Sequence, residues 1–234
     1  MAPRFLLGLK TALDVREEII GQHSKPCRIA YVSDIHLRKG RSGWIASQVI
    51  DALERSSCDL ILLGGDLVDQ ASELHELSLL VARAREIAPV MAVPGNHDQS
   101  VGEKLVRSAV EHSLGLWIDG VTARFNHLGR LFSISGPGAL PDPLADVSIL
   151  CSHYPKIGKS AWSAGFDLVL AGHLHGCQCV LFEAGGLLFP GAIFYPNNRI
   201  RHQQGKIRLL ISRGCSDLIP IRWNCPREIV LCVI

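Results

Sequence analysis

Side chains able to bind metal or move protons gather in short polar runs. Asp34 and His36 stand in "SDIH", Asp66 and Asp69 in "GGDLVD", Asn96, His97 and Asp98 in "PGNHD", His153 in "CSHYP", and His173 and His175 in "GHLHG". Carboxylate, imidazole and amide oxygen are donors of intermediate hardness that suit Mn, Fe, Co or Zn better than Ca or Cu(I). There are enough of them for two ions. A carboxylate between two ions can bridge them, and metals about 3.5 to 4 Å apart can hold a hydroxide and clamp a phosphoryl oxygen during in-line attack. Cys177 and Cys179 lie just behind the last run. The site has ligands enough without soft thiolates, and "CQCVLF" reads as a strand leading away.

Each polar run begins where an apolar run stops, so strands must do the positioning. "RIAYVS", "DLILLGG" and "PVMAVPG" read as buried strands, and helical spacing is expected over 44–55, 72–87 and 102–114. Strand alternating with helix is the signature of parallel βαβ units. After Trp117 the texture changes to shorter runs: "GVTARFNHL", "RLFSISGPG", "DVSILCSH", "FDLVLAGH", "CVLFE", "GKIRLLIS" and "REIVLCVI". The expected fold is α/β, with two packed mixed β-sheets flanked by helices. Carboxyl ends of strands in such sheets form one ligand-binding edge, where residues distant in sequence converge. Glycines 64, 65, 95 and 172 fit tight turns that bring backbone close to that edge.

The ordered set DxH, GDxxD, GNHD, lone His and GHxH resembles the calcineurin-like metallophosphoesterases, over residues 28–234. The resemblance implies their four-layer sandwich and a hydrolytic dimetal site. By motif, Asp34, His36 and His175 would hold the first ion and Asn96, His153 and His173 the second, with Asp66 bridging. His97 would face the substrate unligated, stabilising the transition state or protonating the leaving oxygen, and Asp69 would orient it. Asp98 is expected to support the site rather than ligate. Two divalent ions are implied, Mn foremost, with Fe or Zn as alternatives.

Composition narrows the setting. The chain has 234 residues, is 47% hydrophobic and carries a formal net charge of +2 with scattered Lys and Arg, which suits one globular domain and gives no nucleic-acid stripe. Eight cysteines are too dilute for a disulfide scaffold and fit a reducing, cytoplasmic compartment. No apolar run reaches the roughly 18 residues of a membrane span. Residues 1–27 form a separate segment. Phe5, Leu6, Leu9, Ala12, Leu13 and Ile20 are spaced as an amphipathic helix over 5–20, packing on its own domain or lying peripherally at the inner membrane face. Arg38, Lys39 or Arg41 can meet a phosphate. Among the histidines outside the motifs, His127 is the candidate for lining the pocket. A cysteine-phosphatase loop is excluded, because the position six after Cys215 is Ile221 rather than arginine.

The tail "SRGCSDLIPIRWNCPREIVL" resembles the ending of a bacterial subgroup that includes YkuE-like phosphoesterases and UDP-2,3-diacylglucosamine pyrophosphohydrolases. That subgroup shows "AGHTHGGQ" where this chain has "AGHLHGCQ", so Leu174 and Cys177 depart from its pattern. The implied reaction is hydrolysis of a phosphodiester or pyrophosphate in a small-molecule or lipid-linked substrate. A phosphoprotein or nucleotide phosphoester is the alternative within the same fold. A non-catalytic scaffold would be expected to have lost ligands or His97, and none is missing. The absence of a long insertion between His97 and His153 suggests an open, shallow site.

Overall fold

A computed structural model describes residues 4–7, 11–21, 23–156, 162–217 and 219–234. Two six-stranded mixed sheets face each other. The first runs β2 (Asp14–Ile19), β16 (Glu228–Val233), β3 (Arg28–Val32), β4 (Leu60–Gly64), β5 (Val90–Val93) and β6 (Leu116–Trp117). The second runs β13 (Arg201–Gln204), β14 (Ile207–Ile211), β10 (Leu168–Ala171), β9 (Val147–Cys151), β8 (Arg130–Ser135) and β7 (Thr122–His127). Two smaller pairs complete the strands: β1 (Phe5–Leu7) with β15 (Ile221–Trp223), and β11 (Val180–Ala184) with β12 (Leu187–Pro190).

Alternation along the buried strands explains the layers. On β3, Ala30 and Val32 face the helices α1 (Ser42–Ser56), α2 (Leu74–Ile87) and α3 (Asn96–His112), packing with Ile45, Val49, Leu77, Val81 and Val106. Ile29 and Tyr31 face the other way, against Phe132, Ile134, Ile149 and Leu168 of the second sheet. Because both faces are covered, β3, β4 and β5 read as near-continuous apolar runs. The outer face of the second sheet, with Val169, Ala171 and Leu209, packs under Phe166 and Trp162.

The N-terminal helix expected over 5–20 is not formed. Phe5–Leu7 and Asp14–Ile19 are strands, and β2 runs parallel to β16 in register from Asp14 opposite Glu228 to Ile19 opposite Val233. Pairing with a strand some 200 residues away overrides the local helical spacing of the apolar residues between 5 and 20. Leu9 of that segment lies outside the described residues. Helix α3 also starts earlier than its apolar period indicates, at Asn96, and kinks at Gly102, whose φ is 120°. The Asp98 carboxylate accepts the Gly95 N–H at 2.9 Å and so caps the extra turn.

Candidate metal centre

Strand register brings the polar runs together. Val32 lies opposite Leu63 and Gly64 opposite Val93, so the loops holding Asp34, Asp66 and Asn96 emerge side by side. In the second sheet Leu170 lies opposite Cys151, which sets His173 beside His153. The site therefore straddles the carboxyl edges of both sheets. Asp34, His36, Asp66, His173 and His175 all have φ between 50° and 73°, the left-handed region that side chains rarely adopt. Glycine permits the closest approach: a Cβ at Gly95 would stand 2.1 Å from Oδ1 of Asp66, and one at Gly172 would stand 2.5 Å from Oδ2 of Asp34.

Two separate groups of donors result, Asp34 with His36 and His175, and Asp66 with His153 and His173, and a third, His36 with Asp69 and His97, overlaps the first. Hydrogen bonds behind the rings set their tautomers. Nδ1–H of His36 donates to Oδ1 of Asp69 at 2.6 Å, and Nδ1–H of His175 donates to the Ser216 carbonyl at 3.1 Å. Their Nε2 lone pairs then face each other at 3.3 Å. Likewise Nδ1–H of His153 donates to the Gly64 carbonyl at 2.9 Å, leaving its Nε2 3.2 Å from Oδ1 of Asn96, 3.2 Å from Nδ1 of His173 and 3.3 Å from Oδ2 of Asp66. Such convergences of acceptors repel unless a cation, or a proton in its place, sits among them. The donor set therefore fits the divalent ions its chemistry calls for. Oδ2 of Asp66 is also 3.7 Å from Nε2 of His36, so one oxygen faces both groups.

Electrostatics follow from this crowding. Burial would raise the carboxyls of Asp34 and Asp66, yet the surrounding imidazoles hold both below the ordinary carboxylate range. His153 is buried, which disfavours its charge, but the hydrogen bond to Asp66 and the charge of Asp34 push it up to about 9. His175 goes the other way, down to about 4, because burial and the nearby charges of His36 and Arg222 outweigh Asp34.

His97 stands at the mouth, its side chain 36% exposed and its ring perpendicular to that of His36 with centroids 4.5 Å apart. Its Nδ1 is 2.9 Å from Oδ1 of Asp69, so one carboxylate reaches both His97 and His36. Asp98 accepts the N–H groups of Leu67, Val68 and Gly95 at 2.9, 3.1 and 2.9 Å, and burial raises its carboxyl to about 6. Arg38 lies 4.0 Å from Asp69, whereas Arg41 turns away to donate to the Asp217 carbonyl at 3.2 Å.

Sequence reasoning missed Tyr154 and the wall behind His175. The Tyr154 hydroxyl donates to Oδ1 of Asn96 at 3.4 Å, and its ring packs 4.7 Å from that of His173. Its place directly after His153 was the available signal. The wall comes from 212–227. Arg222, 1% exposed, donates to the carbonyls of Arg213, Ser216 and Cys225 and ion-pairs with Asp217, fixing the carbonyl that orients His175.

Two expectations are corrected. His127 lies at the end of β7, at the opposite pole of the sandwich. Cys177 is not in a strand but in a short turn, His175–Gln178, with φ 54°. Neither Cys177 nor Cys179 joins a metal-binding group among the described residues. Both line a cleft of about 630 Å³ that opens from His173 and His175 and is walled by Leu174, Tyr195, Ile219, Ile221 and Trp223.

The model of the family described as calcineurin-like phosphoesterase matches residues 27–177, and the chain belongs to that family. It is a metal-dependent phosphoester hydrolase. It is 28% identical over 235 residues to phosphodiesterase YaeI of Escherichia coli, covering 89% of this chain and 82% of that one. It is also 27% identical over 221 residues to an uncharacterized metallophosphoesterase of Helicobacter pylori strain J99, covering 88% of this chain but 59% of that protein's length. The fold is shared with TT1561 of Thermus thermophilus, at TM-score 0.51 and 12% identity, covering 82% of this chain and 91% of the other. It is likewise shared with a 5'-nucleotidase precursor of the same organism, at TM-score 0.50 and 13% identity, covering 89% and 55%.

Proposed function

We propose that the chain hydrolyses a phosphodiester or pyrophosphate joined to a bulky apolar group, a lipid-linked nucleotide such as UDP-2,3-diacylglucosamine being the expected type. The apolar cleft beside His173 and His175 carries this reading, because a phosphate in the metal centre would leave its apolar substituent directly against Leu174, Ile219, Ile221 and Trp223. A phosphoprotein or a free nucleotide would gain little from that surface.

Asp34, His36 and His175 would hold one ion and Asn96, His153 and His173 the other, with Asp66 between them. Manganese is expected first, iron or zinc next. The ions would supply the nucleophile by acidifying water and would polarise the phosphoryl oxygens. Asp69 holds His97 so that its other nitrogen faces the entering substrate, where it can stabilise the developing charge or protonate the leaving oxygen. Arg38, beside Asp69, is available to a phosphate oxygen.

A peripheral membrane position at the inner face fits the same surface. Phe5 and Leu7, 55% and 68% exposed, pair with Trp223 and Ile221 of the cleft wall, and Ile219 and Phe194 are exposed nearby in sequence to its lining. No described helix is long and apolar enough to cross a membrane. The eight cysteines are free, which fits a reducing compartment.

The test is a manganese-supplemented screen of monoesters, bis(p-nitrophenyl) phosphate and nucleotide-sugar pyrophosphates with and without acyl chains. Acylated pyrophosphates should turn over best, with Trp223→Ala raising KM for them alone. Equal turnover of acylated and unacylated substrates would overturn the apolar assignment, and anionic-vesicle binding unaffected by Phe5→Ser with Leu7→Ser would overturn the membrane position.

A further inference from the structure

The geometry points to a third metal site, for a single zinc-like ion, formed by Cys27, Asp59 and His127 at the pole of the sandwich opposite the catalytic centre. Cys27 immediately precedes β3 and Asp59 immediately precedes β4, at the amino ends of parallel strands whose carboxyl ends carry Asp34 and Asp66. His127 is the last residue of β7 in the other sheet. One sulfur, one carboxylate oxygen and one ring nitrogen from these three lie within 4.8 Å of one another.

The three donors stand where the core between the sheets, which includes Cys27, meets the partly exposed side chains of Asp59 and His127. The Cys27 side chain is fully buried, and Oδ1 of Asp59 is 3.8 Å from Nδ1 of His127. Nε2 of His127 is buried and finds no hydrogen-bond partner among the described residues. Nearly every buried nitrogen of that kind has a partner, and an ion or a water would supply one here. The backbone holds two of the three donors in place. Cys27 exchanges N–H···O=C bonds with Ile234 at 2.9 and 3.0 Å, and Oδ2 of Asp59 accepts the Arg28 N–H at 2.8 Å, leaving Oδ1 free.

Thiolate, imidazole and carboxylate with one position left for water is a zinc donor set, and thiolate plus carboxylate balances the ion's charge. The nearby Arg130 guanidinium is drawn off, donating to the Ile234 carbonyl at 3.0 Å and lying over the Phe132 ring. Such an ion would tie the first sheet to the second at the end where no catalytic residue does so.

Cobalt reports the site directly, because a thiolate ligand gives a near-ultraviolet charge-transfer band that the oxygen and nitrogen donors of the catalytic centre cannot give. Metal-free protein titrated with Co²⁺ should develop this band. Cys27→Ser should abolish it and His127→Ala should weaken Co²⁺ binding at least tenfold, while the manganese-supported phosphodiesterase activity of both variants is unchanged. Zinc analysis should find one fewer ion per chain in each variant. His127→Ala, at the sandwich rim, serves if Cys27→Ser fails to fold. The assignment is overturned if no band forms, if it persists in Cys27→Ser, or if His127→Ala binds Co²⁺ and Zn²⁺ like the parent chain.

Discussion

Asp69 and His97 are in direct contact, with Nδ1 of His97 2.9 Å from Oδ1 of the carboxylate. The same oxygen also accepts the Nδ1–H of His36 at 2.6 Å. The two contacts separate the expected effects of two substitutions. His97→Ala should lower kcat by about 10² to 10⁴-fold, as for loss of a general acid, and leave metal content unchanged. Asp69→Asn should lower kcat and also weaken manganese binding by roughly 10 to 100-fold, through His36. Equal metal affinity in the two variants, measured by calorimetry, would contradict the shared role.

Asp66→Ala removes an oxygen that faces both donor groups. Elemental analysis after manganese loading should show at least one ion lost per chain. Turnover of bis(p-nitrophenyl) phosphate should fall by about 10³-fold or more, in line with several kcal/mol of charge stabilisation from a metal pair. A variant that retains both ions would remove Asp66 from the bridging position.

Metal binding should depend on pH through His153. In the metal-free protein its pKa is raised to about 9, chiefly through Asp66 acting against burial, so at pH 7 an entering ion must displace that proton. Affinity should climb about tenfold per pH unit toward pH 9, with proton release visible as a buffer-dependent heat. The raised pKa also stabilises the metal-free fold: the contribution is complete below the ordinary imidazole value and is lost as pH rises through about 9. A flat affinity between pH 7 and 9 would count against this account.

Cys177 is expected to tolerate glycine better than a half-buried side chain ordinarily would. Its φ of 54° costs a side-chain-bearing residue about 1 kcal/mol, and glycine returns roughly 0.5 to 1 kcal/mol of that in unfolded-state entropy. Urea unfolding of Cys177→Gly should therefore lie within about 1 kcal/mol of the parent. A larger loss would mean that the thiol's packing beside Gly191 outweighs the strained backbone.

The first sheet was largely legible because β3, β4 and β5 are apolar on both faces and are followed by polar, ligand-bearing loops. The strands leading to His153 and His173 were readable for the same reason. Strand β2 was not, because its partner β16 is remote in sequence and its own residues carry as much helical as extended spacing. The motifs placed Asp34, His36, Asp66, Asn96, His153, His173 and His175 around one cleft without revealing what orients them. The Ser216 carbonyl behind His175 is backbone held by Arg222, and no local pattern marks either. Cys177 was misread because a cysteine in a left-handed turn has no propensity signature.

Strand β16 lies between β2 and β3, although it follows both by some 200 residues. During synthesis the ribosome therefore releases two strands that stay unjoined until a third, made last of the sheet, bridges them. Until then β3 keeps an open hydrogen-bonding edge next to the loop of Asp34 and His36, an edge prone to pairing with other chains. Completion of the sheet that carries Asp34 and Asp66 thus waits on residues 228–233, and a nascent chain stalled before residue 228 presents its metal-binding loops on an unfinished sheet.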